Sequence, residues 1–381
     1  MKHLKKWSAL LLLLLLAGGV EARRQPTSKE VLKTTKLVAD WQIKTFENQG
    51  DYRALTEKKA QDPKAREKYF DLRWMPATFY AGLYQLYTIT EEAKYLDWLT
   101  QMGERHEWQL NTRVYHADDH AVGQFYLNLY ELEASDKIIN PTKERFDEIM
   151  TSDKADENHW WWCDALFMAP PVWTRLAKVS GEMKYLEYMD SQYHKTYDLL
   201  WSPKDDLFFR DKKYLTRHEE NGESLFWGRG NGWVFGGLTL LIQDLPKGWE
   251  GSEFYITLFK EMAKRLKQIQ RPDGTWSAGL LGDLSDYPVI ETSGSSFFTF
   301  GLAWGIRAGL LDRNEYEQTL FKAWEGLTKA VRKDGMLGYV QPVGAAPGAS
   351  SKDGSELYGT GAFVAAGAEM YRYLEVFYPK K

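Results

Sequence analysis

Twelve helices paired into six hairpins, an all-α (α/α)6 barrel, are what this sequence predicts, and three observations carry the prediction. Helical periodicity runs through almost the whole chain, while strand-like alternation is sparse. The helical stretches alternate between two kinds, one charged along a face and one apolar nearly all round. No Pro/Ser-rich linker interrupts the 381 residues, so residues 23–381 read as a single domain. A helix apolar on every side must be buried on every side, and the economical packing is an inner ring wrapped by an outer one. An α-solenoid would repeat at a fixed period, which is not evident, and a two-lobed helical protein is the other alternative.

Met1 to Ala22 has the form of a secretory signal. Lys2, Lys5 and Lys6 form a basic start, Leu10 to Leu16 an apolar run too short for a membrane span, and Val20-Glu21-Ala22 a cleavage site. Export is the expectation, to the periplasm first and the extracellular space as the alternative. The half-exposed helices follow as Ser28 to Gln49, Glu91 to Glu104, Pro141 to Met150, Glu182 to Leu199, Gly251 to Gln270 and Asn314 to Arg332. Ser28 serves as an N-cap and Pro141 as a first helical residue. The apolar helices are Trp74 to Tyr87, Ala121 to Leu132, Trp161 to Val179, Gly232 to Leu245, Ser295 to Leu310 and Gly359 to Phe377. Their glycines, Gly82, Gly236 and Gly361 among them, let neighbouring backbones approach closely. Gly335 to Gly354 reads as a loop.

A formal charge of −4 gives no basic footprint for nucleic acid, and no apolar run is long enough to span a membrane. Sixteen Trp and 22 Tyr lean towards a carbohydrate ligand, because flat rings stack on sugar faces; large helical cores also consume aromatics. The lone Cys163 excludes an intrachain disulfide. No cofactor is expected: Gly-x-Ser-x-Gly is absent, and Gly228-Arg-Gly-Asn-Gly232 is a weak glycine signal. His116-Ala-Asp-Asp-His120 lacks the spacing of a zinc helix, so no metal is expected either.

Chemistry concentrates where the apolar helices begin. Trp74 opens the first, Asp118 and Asp119 precede the second, His159 and Asp164 the third, and Trp227, Arg229 and Trp233 lead into the fourth. Glu291 precedes the fifth and Tyr358 lies before the last. Inner helices of such a barrel run parallel, so these N-termini meet at one end, where their partial positive charge favours an anionic group. In His159-Trp-Trp-Trp-Cys-Asp164-Ala-Leu-Phe-Met168 the aromatic and apolar neighbours of Asp164 disfavour its charged form, as suits a general acid. The plainer reading is an N-terminal aspartate among ordinary core aromatics. Asp119 and Asp164 would face each other as a carboxyl pair, with one of Asp118 and Asp119 capping the helix instead. Arg229 could clamp a carboxylate, or pair internally with a site aspartate.

Trp162-Cys-Asp-Ala-Leu-Phe-Met-Ala169, Phe226-Trp-Gly-Arg-Gly-Asn-Gly-Trp233, Glu291-Thr-Ser-Gly-Ser295 and Tyr358-Gly-Thr-Gly-Ala-Phe363, in that order, resemble the unsaturated rhamnogalacturonyl hydrolases of glycoside hydrolase family 105. The resemblance covers nearly the whole mature chain and implies an (α/α)6 barrel. It implies an oligosaccharide substrate ending in a Δ4,5-unsaturated uronic acid, as left by a lyase acting on pectin or rhamnogalacturonan. Hydration of the C4=C5 vinyl ether would release that sugar. On this resemblance Asp164 protonates C4, Asp119 is the second carboxylate, and Trp227, Arg229 and Trp233 line the pocket. Many relatives carry a histidine where Leu207-Phe-Phe-Arg-Asp211 places Arg210, which cannot act as a neutral base but can bind a carboxylate or hydroxyl. Trp276 and the loop around Tyr287 are further contact candidates. A conventional inverting glycosidase, a lyase on an acidic polysaccharide, or a non-catalytic sugar-binding protein are the competing readings. The sequence leaves the oligomeric state open.

Overall fold

Where the sequence alternates between half-exposed and buried stretches, the computed structural model alternates between outer and inner helices. It describes residues 25–48 and 70–379; Met1 to Ala22 lies outside them. The outer helices are α1 (Ser28–Thr45), α3 (Ala93–Arg105), α5 (Asp136–Thr151), α7 (Lys184–Leu200), α9 (Ser252–Gln268) and α11 (Arg313–Lys329). The inner ones are α2 (Trp74–Thr90), α4 (Gly123–Leu132), α6 (Pro170–Ser180), α8 (Gly228–Asp244), α10 (Thr292–Arg307) and α12 (Leu357–Phe377). Each inner helix packs on the next, and α12 returns to α2, which closes the ring. The outer helices cover the seams, α1 lying along α12. The fold is therefore the (α/α)6 barrel.

Closure relies on glycine where backbones touch. A Cβ on Gly82 would lie 2.1 Å from the Gly361 carbonyl oxygen, and one on Gly361 2.3 Å from that of Thr78, so α2 and α12 meet without side chains between them. Gly294 and Gly228 also bring the first turns of α10 and α8 together, a Cβ on Gly294 lying 3.0 Å from the Gly228 carbonyl.

Three helix starts differ from the sequence reading for identifiable chemical reasons. Thr27, not Ser28, caps α1: its hydroxyl accepts from the Glu30 amide while Glu30 reaches back to the Thr27 amide, a complete capping box. Pro141 lies inside α5, which starts five residues earlier at Asp136. The predicted helix from Trp161 to Val179 is broken. Asp164 starts a single turn, Ala165–Met168, and α6 begins afresh at Pro170, because consecutive prolines supply no amide to continue the first turn.

Towards the C-terminal end of the inner helices, ion pairs tie neighbouring helices together. Arg175 Nε lies 2.7 Å from Asp244, and Arg307 Nε 2.9 Å from the buried Glu369. The chemistry-bearing side chains gather at the other end, where the inner helices begin.

Candidate active site

Asp164 sits at that end, just before the single turn Ala165–Met168. Its side chain is 13% exposed, with Cys163 Sγ and Arg210 Nε each 3.6 Å from Oδ2. Burial raises its pKa, and the positive charges of Arg210 and then Arg229 oppose the rise without cancelling it. A carboxyl so placed holds its proton further towards neutral pH than an ordinary aspartate does.

Asp118 and Asp119, adjacent in sequence, have different surroundings. Asp119 is buried and fully engaged by Arg113, whose backbone amide donates at 2.8 Å and whose Nε and Nη2 donate at 3.1 and 2.5 Å. That clasp folds the 111–119 loop and leaves Asp119 committed to it. Asp118, 18% exposed, has no hydrogen bond to its carboxylate among the described residues and lies 3.7 Å from Arg113 Nη2. Burial first, and the negative charge of Asp164 second, push its pKa up to about 7. The carboxyl whose pKa responds to the charge of Asp164 is Asp118; the sequence reading matched Asp119 to the second carboxylate with its neighbour Asp118 left as the alternative.

His116 takes part in the same turn. Its Nδ1 accepts the Asp118 amide at 3.3 Å, and its ring packs 4.7 Å from that of Trp162. Burial lowers its pKa to about 4, so the ring is neutral at pH 7, and Nδ1 acting as acceptor leaves the proton on Nε2. Sequence reasoning weighed His116 only as a metal ligand; the signal missed was its position two residues before Asp118.

Arg229 is buried, with its guanidinium carbon 4.4 Å from the Trp227 ring centroid and 4.8 Å from that of Tyr358. Its Nη1 and Nη2 donate to the carbonyls of Gln341 and Pro342 at 2.6 and 3.0 Å. It makes no ion pair among the described residues, so the internal salt bridge considered from the sequence does not form. Gln341 organises this corner. Its amide donates to Glu291 at 3.1 Å, its Oε1 accepts from Trp227 Nε1 at 3.0 Å, and its carbonyl also accepts from the Tyr358 hydroxyl. Lying in the segment read as an open loop, Gln341 gave no sequence signal. Glu291 is likewise consumed internally, accepting from the amides of Ser293 and Gly294.

Trp74 stands edge-on to the buried Trp233 at 5.8 Å and packs on Tyr358 at 5.1 Å, which joins α2, α8 and α12 in one aromatic wall. Of the three consecutive tryptophans only Trp161 projects outward, 48% exposed. Arg210 lies beside it, the guanidinium carbon 6.0 Å from its ring centroid. Strands β1 (Trp201–Ser202) and β2 (Leu207–Phe208) form the hairpin that delivers Arg210. The buried Asn231 brackets Phe208 through both its amide and its carbonyl, and the Arg210 carbonyl accepts from the Cys163 amide. His159 stands apart: its ring stacks on Tyr115 at 4.8 Å and bonds the Lys154 carbonyl at 2.8 Å. Two weaker candidates fall away. Trp276 is 1% exposed and donates to the Leu266 carbonyl within the core, and the Tyr287 hydroxyl is bound to Glu219.

The arrangement offers a proton-holding carboxyl coupled to a second one, an aromatic wall, a buried arginine and, nearer the surface, a second arginine beside an exposed indole. Comparison with known proteins gives a consistent picture. The family model described as Glycosyl Hydrolase Family 88 matches residues 29–374. A curated "unsaturated 3S-rhamnoglycuronyl hydrolase" from Alteromonas sp. strain LOR is 37% identical over 377 residues, covering 92% of this chain and 89% of its own. One of the same name from Formosa agariphila is 38% identical over 321 residues, covering 79% and 85%. A solved structure described as a polysaccharide lyase is similar at a TM-score of 0.81 and 31% identity, covering 91% of this chain and 98% of its own.

Proposed function

The chain belongs to glycosyl hydrolase family 88, and on that premise we propose that it removes a terminal unsaturated uronic acid from a rhamnose-type sugar by hydrating the uronate's C4=C5 double bond. The observation that carries the reading is the carboxyl pair: Asp164, whose pKa burial raises, and Asp118, pushed up to about 7 by burial and by the charge of Asp164. Two hydrolase relatives at 37 and 38% identity support the substrate class.

In the proposed reaction the Asp164 proton goes to C4, and the cation left at C5 is stabilised by the ring oxygen. Water adds at C5, its proton passing to the Asp164 carboxylate, with Asp118 as the neighbour that can share it. The C5 hemiketal opens to a ketone, which frees the former ring oxygen as a hydroxyl and leaves a hemiacetal at C1. Collapse of that hemiacetal expels the leaving sugar, so one water is consumed and no glycosyl–enzyme bond forms. Arg229 supplies positive charge that reaches Asp164, and the uronate carboxylate would lie beside it.

The second reading, a lyase, is favoured by the 31% identical structure. The two reactions leave opposite optical traces, since a lyase creates the UV-absorbing double bond and the hydrolase consumes it. Incubation with lyase-treated rhamnoglycuronan should show absorbance falling with time. Rising absorbance on the intact polysaccharide would establish the lyase instead. We also propose export through residues 1–22; N-terminal sequencing of the mature protein should read from Arg23.

A further inference from the structure

Arg229 is held in place by main chain, through a short strap formed by residues 338–342. The strap is tied to the start of α10: Thr292 donates its amide to the Tyr339 carbonyl at 3.0 Å and its hydroxyl to that of Gly338 at 2.9 Å. Further ties run to the chain that follows, from the Tyr339 amide to the Ser351 carbonyl at 2.8 Å and from the Val340 amide to that of Gly354 at 3.2 Å. Tyr339 has a left-handed backbone, with φ at 59°, a conformation that a non-glycine residue keeps only where its surroundings over-determine it. The strap is therefore fixed independently of Arg229.

Gln341, 4% exposed, engages every polar group it has. Its carbonyl and that of Pro342 take the two tip nitrogens of Arg229, so neutral acceptors aim the guanidinium and leave its charge uncompensated. Its Oε1 accepts from Trp227 Nε1 at 3.0 Å, and the Trp227 ring is the plate on which the guanidinium lies, 4.4 Å away. Its Nε2 donates to the Ala346 carbonyl at 2.7 Å, which ties the side chain back to the strap's own continuation. Arg229 Nε is buried with no hydrogen-bond partner. A donor in that state is costly to leave unmet, and a carboxylate that completes it forms a charge-assisted bond. An arginine already paired with a buried Asp or Glu would have no such charge to offer.

We propose that Gln341 is a positioning residue: by fixing the strap and the Trp227 ring together, it holds Arg229 aimed and uncompensated, and so sets the affinity for the carboxylate of the substrate. The inference rests on the hydrolase reading above and adds to it a residue that need not touch the substrate.

The test sets a charged substrate against a neutral one. Wild type and Gln341→Leu are assayed on an unsaturated uronyl–rhamnose disaccharide as the free acid and as its methyl ester, with the loss of UV absorbance followed. Wild type should favour the acid by about 10- to 100-fold in kcat/KM, the worth of a charge-assisted hydrogen bond, and most of that preference should lie in KM. Gln341→Leu should lose most of the preference by raising KM on the acid, while kcat and the values on the ester change little, a split that a purely structural role would not produce. Trp227→Phe keeps a ring but cuts the same hydrogen bond from the other side, and should lower the same preference. The double variant should cost little more than Gln341→Leu alone, because the two changes remove the halves of one interaction. A preference that survives in either single variant, or equal losses on acid and ester, would overturn the positioning role while leaving the hydrolase reading intact. Additive costs in the double variant would overturn the route through the indole, and a wild type indifferent to the charge would overturn the inference as a whole. No turnover of any unsaturated uronide would overturn the hydrolase reading, and this inference with it.

Discussion

Replacing Asp118 and Asp119 separately by asparagine should move stability in opposite directions, although the two residues are adjacent and of equal formal charge. Burial and the charge of Asp164 raise Asp118 from the ordinary aspartate range to about 7. A group whose folded pKa exceeds its unfolded value binds its proton more tightly in the fold. The stability it contributes is complete below about pH 4 and is lost as the pH rises through about 7. Beyond that the fold holds a carboxylate it disfavours, at an upper limit of ~4 kcal/mol for a displacement of that size. Partial exposure and the Arg113 guanidinium 3.7 Å away screen the group, which leaves about 1–2 kcal/mol. Asp118→Asn should therefore melt with wild type at about pH 4 and a few degrees above it at about pH 8.5. Asp119→Asn removes the charge that accepts three Arg113 hydrogen bonds, and should cost ~2–3 kcal/mol at neutral pH. Thermal unfolding of the three proteins across that pH range is the assay. Equal destabilisation by both variants, or an Asp118→Asn gain that does not vary with pH, would refute the division of labour between the two aspartates.

Asp164→Asn should lower kcat by about 10²- to 10⁴-fold, the loss of a general acid, while substrate binding measured by calorimetry changes only a few-fold; unchanged kcat would remove Asp164 from the mechanism. Because the Asp164 and Asp118 carboxyls are both raised, kcat should fall as the pH rises past neutral and the transferable proton is lost; an activity that climbs into the alkaline range contradicts this. Gly361→Val would press a side chain against the Thr78 carbonyl, where even a Cβ lies at 2.3 Å, and should cost ~3 kcal/mol or more; circular dichroism should show a lowered or non-cooperative melt, and a wild-type transition would mean that the α2–α12 seam can give way.

The architecture was legible because burial on all sides leaves a strong mark on composition. Helices such as α8 and α10 carry apolar residues right round, and a solvent-facing helix could not. Legibility failed where one residue's direction decides its role. Neighbouring helical positions point about 100° apart, so Asp118 and Asp119 cannot both face the axis, and only Arg113, from the preceding loop, settles which one turns away. Proline gave an ambiguous signal: Pro170 starts a helix and Pro141 sits inside one. Gln341 left no trace, because its importance lies in meeting Trp227, Arg229, Glu291 and Tyr358, four residues distant in sequence, at one point. The aromatic site residues were found as a group, yet sequence could not tell Trp161, at the surface, from Trp160, in the core.

The closure of α12 onto α2 also governs when the enzyme can exist. Tyr358 supplies one face of the pocket around Arg229, and it resides on the last helix of the ring, so a growing chain contains every other element of the ring before this one. Catalytic competence is thus withheld until α12 has been made, and a product cut short before it would be inert rather than unregulated. In space the order of hairpins has no privileged beginning. Gln25 and Tyr378 touch through a hydrogen bond of 3.1 Å, which brings the first and last hairpins together like neighbouring staves. A chain cut at another outer turn and joined there would present the same ring of helices with its timing rotated.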